Sequence, residues 1–146
     1  MELTKRKATS ADVPFLLQLR RSTMSKHLEA SEMGTTDAEH MKRIELEFES
    51  AQVLELNGQR VGLLKAVRRG NDWQLLQIQL VPMLQGMGVG ATLIRELLAE
   101  ARSSGATVQL SVLKANPARR LYERLGFVVV GESEHSYRMV HHAVES

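Results

Sequence analysis

Between residues 51 and 80 the hydrophobic period of the chain becomes that of a sheet, and this constrains the fold more than anything else in the sequence. Residues 51–56 read as a strand, Asn57-Gly58 is the strongest short hairpin signal, and residues 60–69 return. Gly70-Asn71-Asp72 turns the chain once more, and residues 73–80 complete a three-strand meander. Helical periodicity lies on both sides of it, so the sheet must have helices to bury against.

Upstream, residues 3–8 predict a short strand. Thr9-Ser10-Ala11-Asp12 offers caps, Pro14 suits a first helical turn, and Val13, Leu16, Leu17 and Leu19 start an apolar face running to about Ser25. Residues 26–35 read as irregular and polar, broken by Gly34. Thr36-Asp37-Ala38-Glu39 has capping-box spacing, and Met41, Ile44, Leu46 and Phe48 extend the expected second helix over residues 36–50. After Pro82, a glycine-rich turn opens a helix with Leu93, Ile94, Leu97, Leu98 and Ala101 on one face, ending near Ser104-Gly105. Residues 107–113 follow as a strand. A short helix runs from Asn116-Pro117 to Leu125, closed by Gly126, and residues 127–131 and 137–141 are the last strands. The order β-α-α-β-β-β-α-β-α-β-β describes an α/β (α+β) layer of mixed sheet with helices on its faces. It is expected to be one domain over residues 1–146.

Composition narrows the chemistry. The 146 residues contain no cysteine, which removes disulfides, thiolate nucleophiles, iron–sulfur clusters and cysteine-ligated zinc. Apolar residues are 43% and charged residues 25%, the balance of a globular domain. The net charge of +2 is spread in short runs such as Lys5-Arg6-Lys7, so no basic stripe calls for a nucleic acid. No apolar stretch approaches membrane-spanning length, and the N-terminus carries no apolar signal core. The expectation is a cytoplasmic protein with no membrane partner. No convergent ligand set for a metal is visible, and His141-His142 does not form one.

The turn Gln85-Gly86-Met87-Gly88-Val89-Gly90 carries the most chemistry. Glycines at alternate positions between a strand and a helix let successive backbone N–H groups point at one anion, and the helix N-terminus adds its partial positive charge. A diphosphate is the natural guest; a flexible turn that merely permits the bend is the plain alternative. A P-loop would end in Gly-Lys-Ser/Thr, whereas Gly90 precedes Ala91-Thr92. A Rossmann turn would have an acid closing the next strand, and residues 107–113 have none.

A second segment changes the weight of the first. Val81-Pro82 followed by Gln85-Gly86-Met87-Gly88-Val89-Gly90 resembles the Gln/Arg-x-x-Gly-x-Gly/Ala acyl-CoA loop of the GNAT superfamily of N-acetyltransferases. Asn116-Pro117-Ala118-Arg119-Arg120-Leu121-Tyr122-Glu123-Arg124-Leu125-Gly126-Phe127 resembles that family's second motif, in the expected order and at the expected distance. The element order is similar from end to end. The resemblance implies a GNAT-like fold, a mixed, mostly antiparallel sheet of six to seven strands with about four helices, and acetyl-CoA as co-substrate.

It further implies that the strand ending at Leu80 splays from residues 107–113, helped by a bulge near Leu80–Val81. Pantetheine would lie in the gap against backbone groups of Ile78 and Leu80, as a peptide adds to a sheet edge. The amides of Gln85, Gly86, Met87, Gly88, Val89 and Gly90 would hold the diphosphate, with Gly88 and Gly90 permitting close approach. Tyr122 matches the family tyrosine that faces the CoA sulfur, where a phenol can protonate or hydrogen-bond a leaving thiolate. Asn116 would contact the cofactor, though it sits six residues before the tyrosine where the family usually has seven, and it can equally cap the helix. Lys114, Arg119 and Arg120 would face the ribose phosphate or stay solvated.

Acyl transfer to an amine requires a proton acceptor, and many relatives place a glutamate on the splayed strand or its neighbour. Residues 73–80 hold no acid, and the neighbouring strand offers Ser111. Gln77 or Gln79 orienting a water, a group from residues 26–35 such as His27, Glu29 or Glu32, or Glu134 or His135 in the final hairpin are the remaining sources. The expected activity is transfer of acetyl to a primary amine by direct attack in a ternary complex, since no cysteinyl intermediate is possible. A small-molecule amine is the first expectation for the acceptor. A protein N-terminus or lysine, or a non-catalytic acyl-CoA-binding module, are the alternatives. A homodimer through the final strands is compatible with the sequence.

Overall fold

The computed structural model describes residues 2–30 and 34–142. Seven strands form one sheet: β1 (Thr4–Lys7), β2 (Ala51–Leu56), β3 (Gln59–Arg69), β4 (Asp72–Leu80), β5 (Thr107–Leu113), β6 (Val128–Glu132) and β7 (Ser136–His141). Their order is β1-β2-β3-β4-β5-β7-β6, antiparallel except where β4 meets β5. Four helices accompany them: α1 (Val13–Ala30), α2 (Asp37–Glu45), α3 (Val89–Ser104) and α4 (Ala118–Arg124). This is the expected mixed, mostly antiparallel architecture.

The sheet buries a core on each face. On one side α3 lays Leu93, Ile94, Leu97 and Leu98 against Leu64, Ala66, Trp73 and Leu75, with Tyr122 and Phe127 from the α4 region joining them. On the other, Leu16 and Leu19 of α1 and Ile44 of α2 pack on Val53 and Leu63. Each fully buried aliphatic side chain contributes about 1.5–3 kcal/mol by transfer from water, so both helical layers are fastened by their apolar stripes.

Two helix ends differ from expectation. α1 continues to Ala30 instead of stopping near Ser25, because Leu28 is buried and no breaker precedes Gly34. The second helix ends at Glu45 rather than at residue 50, since Leu46 is extended and Glu47 takes φ +50°. The stop is held by a buried lysine. Lys65 Nζ donates to the carbonyls of Arg43, Ile44 and Leu46 at 2.9, 3.0 and 2.6 Å. It satisfies orphan acceptors at the C-terminus of α2 with a charge of the favourable sign.

The central strands supply the opening. β4 and β5 pair only over Asp72–Thr107, Trp73–Val108 and Gln74–Gln109, and beyond that they separate. The expected bulge is present but lies earlier than Leu80–Val81. Lys65 opposes Gln77 while Ala66 opposes Leu75, leaving Leu76 as the extra residue. At the expected place the ladder is regular, with Gly62 opposite Leu80 and Val81 N–H donating to Val61 O at 2.9 Å. A bulge bends and twists its strand. It also shifts the phase of the side chains. Trp73 and Leu75 face α3, as Ile78 and Leu80 do, while Gln77 and Gln79 turn to the α1–α2 side.

Candidate functional site

The separation of β4 from β5 leaves a cavity of about 470 Å³. Ile78 of β4, Ser111 and Val112 of β5, Asn116 and Tyr122 line it from the sheet and α4, and α1 and α2 form its opposite wall.

At the end of β4 the chain enters the glycine-rich turn. Gly86 and Gly88 have φ of +77° and +78°, and a Cβ on either would meet nothing within 4 Å. That conformation favours glycine, and Gly88 is the N-cap of α3. Gly90 is inside the first turn without a positive φ, and a Cβ there would only touch Leu80 Cδ1 at 3.9 Å. Among the described residues, no backbone N–H from 86 to 90 donates to a backbone carbonyl. The turn therefore offers an open row of donors at a helix N-terminus, which fits a diphosphate. Met87 is exposed, Val89 is buried, and both border a smaller recess of about 260 Å³ beside Gly88. Gln85 turns its side chain back, Nε2 donating to Leu80 O at 2.9 Å. The Leu80 carbonyl thus already has one donor, and its side chain packs with the α3 core.

Tyr122 is 9% exposed and packs edge-on against Phe127 with ring centroids 5.8 Å apart. Burial pushes its phenol up to about 12, so at neutral pH it is a proton donor. Its hydroxyl makes no hydrogen bond to another described residue. Asn116 Oδ1 accepts from Ala118 N–H at 2.9 Å, a capping contact at the start of α4, while the residue also borders the cavity. Lys114 pairs with Glu132 at 2.6 Å, and Arg119 with Glu123 at 3.4 Å; both stack on Tyr137. These two cations are engaged by the final hairpin and their own helix.

No carboxylate takes the position of a base on β4 or β5 where they border the cavity. What stands there instead are Gln77 and Gln79, 6% and 5% exposed. Gln77 Nε2 donates to Arg43 O at 3.2 Å, yet the Oε1 atoms of both glutamines are buried without a partner. A buried unpartnered acceptor costs about 1–3 kcal/mol; both residues line the cavity, and these two oxygens are enclosed beside it. Of the other proposed proton acceptors, His27 and Glu29 lie on the last turns of α1, outside the cavity lining. Glu32 lies outside the described residues. Glu134 and His135 pair with each other at 3.7 Å in the β6–β7 turn.

The α1–α2 wall was not visible in the motifs. Arg20 is buried, and its Nε donates to His40 Nδ1 at 3.1 Å; His40 Nε2 meets Ser25 Oγ at 3.2 Å. Burial, then the charge of Arg20, keeps His40 below its usual range, so the ring is neutral and accepts at Nδ1. Glu39 also lines the cavity, but its carboxylate closes the capping box, accepting from Thr36 Oγ1 at 2.8 Å. Projecting 39, 40, 42 and 43 on one helix would have grouped these side chains, although nothing in the sequence says which face of α2 meets the opening.

Comparison with known proteins places this architecture in a family. Residues 14–127 match the family described as Acetyltransferase (GNAT) family. The [Ribosomal protein bS18]-alanine N-acetyltransferase of Haemophilus influenzae is 33% identical over 72 residues, a stretch that spans about half (49%) of each chain. Ard1 from Thermoplasma volcanium superposes with a TM-score of 0.73 at 21% identity, covering 99% of this chain and 100% of that one. The PaiA N-acetyltransferase from Thermoplasma acidophilum, solved in complex with coenzyme A, gives 0.75 at 16% identity over 97% and 99%. At those identities the two structures speak for the fold, and the family match covers most of the chain. The chain belongs to the GNAT family of acetyltransferases.

Proposed function

We propose that this protein transfers an acetyl group from acetyl-CoA to the α-amino group of a protein N-terminus. The observation that carries the reading is the cavity at the separation of β4 from β5, lined together by Tyr122, Gln77 and Gln79, with no carboxylate on either strand where they border it. The Haemophilus relative is a ribosomal protein bS18-alanine N-acetyltransferase, which favours a polypeptide acceptor over the small-molecule amine first expected.

Acyl-CoA supplies an activated thioester carbon and a thiolate leaving group. The open amides of residues 86–90 suit its diphosphate, and the unpaired edges of β4 near Ile78 and Leu80 suit its amide-bearing arm. Tyr122 holds a proton that its raised pKa keeps in place until a thiolate develops beside it. Asn116 borders the same gap. Among the described residues, Glu39 is the acid lining the cavity and it is held in its capping box, so the enzyme takes the acceptor as the neutral amine, with Gln77 and Gln79 lining its place.

The test is thiol release from acetyl-CoA with three acceptor sets: peptides with a free N-terminus, Nα-blocked peptides bearing lysine, and small primary amines. Preferential turnover of the first set is expected. Preference for either of the other two overturns the N-terminal reading, and CoA binding without turnover of any acceptor points to the non-catalytic alternative.

A further inference from the structure

Arg20 is only 6% exposed, lines the cavity, and lies on α1 facing α2. Its Nε is used by His40, while its two terminal nitrogens donate to no described residue. Among the described residues, no carboxylate pairs with it. The charges nearest it are mostly positive: Arg43 and Lys65 lie within electrostatic reach, and Lys42 and Arg43 border the same cavity, with Glu39 the one described acid in the lining. The nearby acids are spent elsewhere, Asp37 on Arg21 and Glu39 on Thr36. A buried guanidinium without a counter-ion is unfavourable unless a partner arrives.

We infer that the acceptor carries a carboxylate close to its amine, and that the end-on fork of Arg20 binds it. The inference deepens the reading of the cavity as an acceptor site and rests on it. Fixing Nε on His40 leaves the two terminal N–H groups presented side by side, the geometry that a carboxylate accepts bidentately. The neutral His40 ring holds the fork in place, with Ser25 behind it, which makes His40 a positioning residue. The cofactor's phosphates are not the ligand meant here. The glycine turn opens α3 on the other face of the sheet, whereas Arg20 belongs to the α1–α2 face. The carboxylate can come from an acidic side chain early in a peptide, or from the α-carboxylate of a free amino acid.

Matched pairs separate these sources and the two readings. Peptides differing only by Glu or Gln at the second position form one pair, alanine and alaninamide the other, with kcat/KM expressed per neutral amine for each. The expected result is at least about a tenfold preference for the carboxylate in one pair, the peptide pair if the source is a side chain, the amino-acid pair if it is an α-carboxylate. Arg20→Gln should bring that ratio close to one through KM, and Arg20→Lys should restore part of it. Binding of the acetylated products to the CoA-loaded enzyme, carboxylate against amide, reads the same preference without turnover. Equal values within both pairs in the wild-type enzyme, or a ratio that survives Arg20→Gln, overturns the inference. If free-N-terminus peptides are acetylated with no such difference, the N-terminal reading stands and this one falls. If only alanine over alaninamide discriminates, the reverse holds. The wild-type comparison decides even if the variants fail to fold.

Discussion

In the proposed reaction Tyr122 is the proton donor, and Gln77 and Gln79 line the place of the acceptor. Removing the phenolic oxygen with Tyr122→Phe leaves the ring in its packing against Phe127. It should lower kcat by about 100-fold while the affinity for CoA, read by calorimetry, stays nearly the same. Unchanged turnover would remove Tyr122 from the reaction. The pH profile follows from the same site. With no described carboxylate free to set the rising limb, kcat/KM should climb with the acceptor's own amine, through about pH 8 for an N-terminus. Tyr122 sets no falling limb until about 12. Exchanging the acceptor for one of lower amine pKa should move the limb down by the same interval; a limb that stays put would reveal an enzyme base.

At the scale of elements, the ends of α2 matter more than its middle. Its C-terminus rests on Lys65, whose pKa burial and then the charges of Arg43 and Arg20 pull down to about 8. At neutral pH the group is still the ammonium that three carbonyl acceptors need. Lys65→Met keeps most of the volume and orphans those carbonyls. It should destabilise the protein by about 1–3 kcal/mol, seen as an earlier denaturant midpoint, and loosen the wall that carries His40 and Arg43. A midpoint equal to wild type would show that the carbonyls find other donors. The elements themselves were largely legible: Asn57-Gly58, the glycine turn and the Asn-Pro start of α4 each punctuate the chain by backbone chemistry that only those residues satisfy. What escaped was decided by tertiary contacts. Residues 26–30 look like loop by polarity, and burial of Leu28 keeps them helical. Strict alternation along β4 would place Gln77 and Gln79 with Trp73 and Leu75, and a bulge one residue long reverses that. Tyr122 and the glycine turn were found because motifs carried them, whereas Arg20 and His40 reach the cavity only through the packing of α1 on α2.

For the molecule as a whole, the sheet is two partial sheets joined by a short parallel seam, and its far edge is tied by ion pairs. Asp12 is buried and accepts from Arg6 Nη1 and Nη2 at 2.9 and 2.8 Å, from Thr9 N–H at 2.8 Å, and pairs with Arg60 at 3.0 Å. The Arg6 hydrogen bonds, and then that of Thr9, hold its carboxyl well below the usual carboxylate range. The folded pKa lies under the unfolded value of about 3.9, so this stabilisation is complete above that value and drains away as pH falls through and below it. Asp12→Asn should therefore lower stability at pH 7 and flatten its decline between about pH 5 and pH 2, measured by denaturant midpoints across that range. A variant with the wild-type acid slope would place the sensitivity in other carboxylates. The seam has a consequence of a different kind. Leu76 is surplus length: with it removed, every neighbouring side chain would keep its inward or outward assignment, but the strand would lose its bend and could zip against β5 to the end. A one-codon deletion would then turn a molecule with a slit through its middle into a closed sheet, well folded and with nowhere to put a substrate.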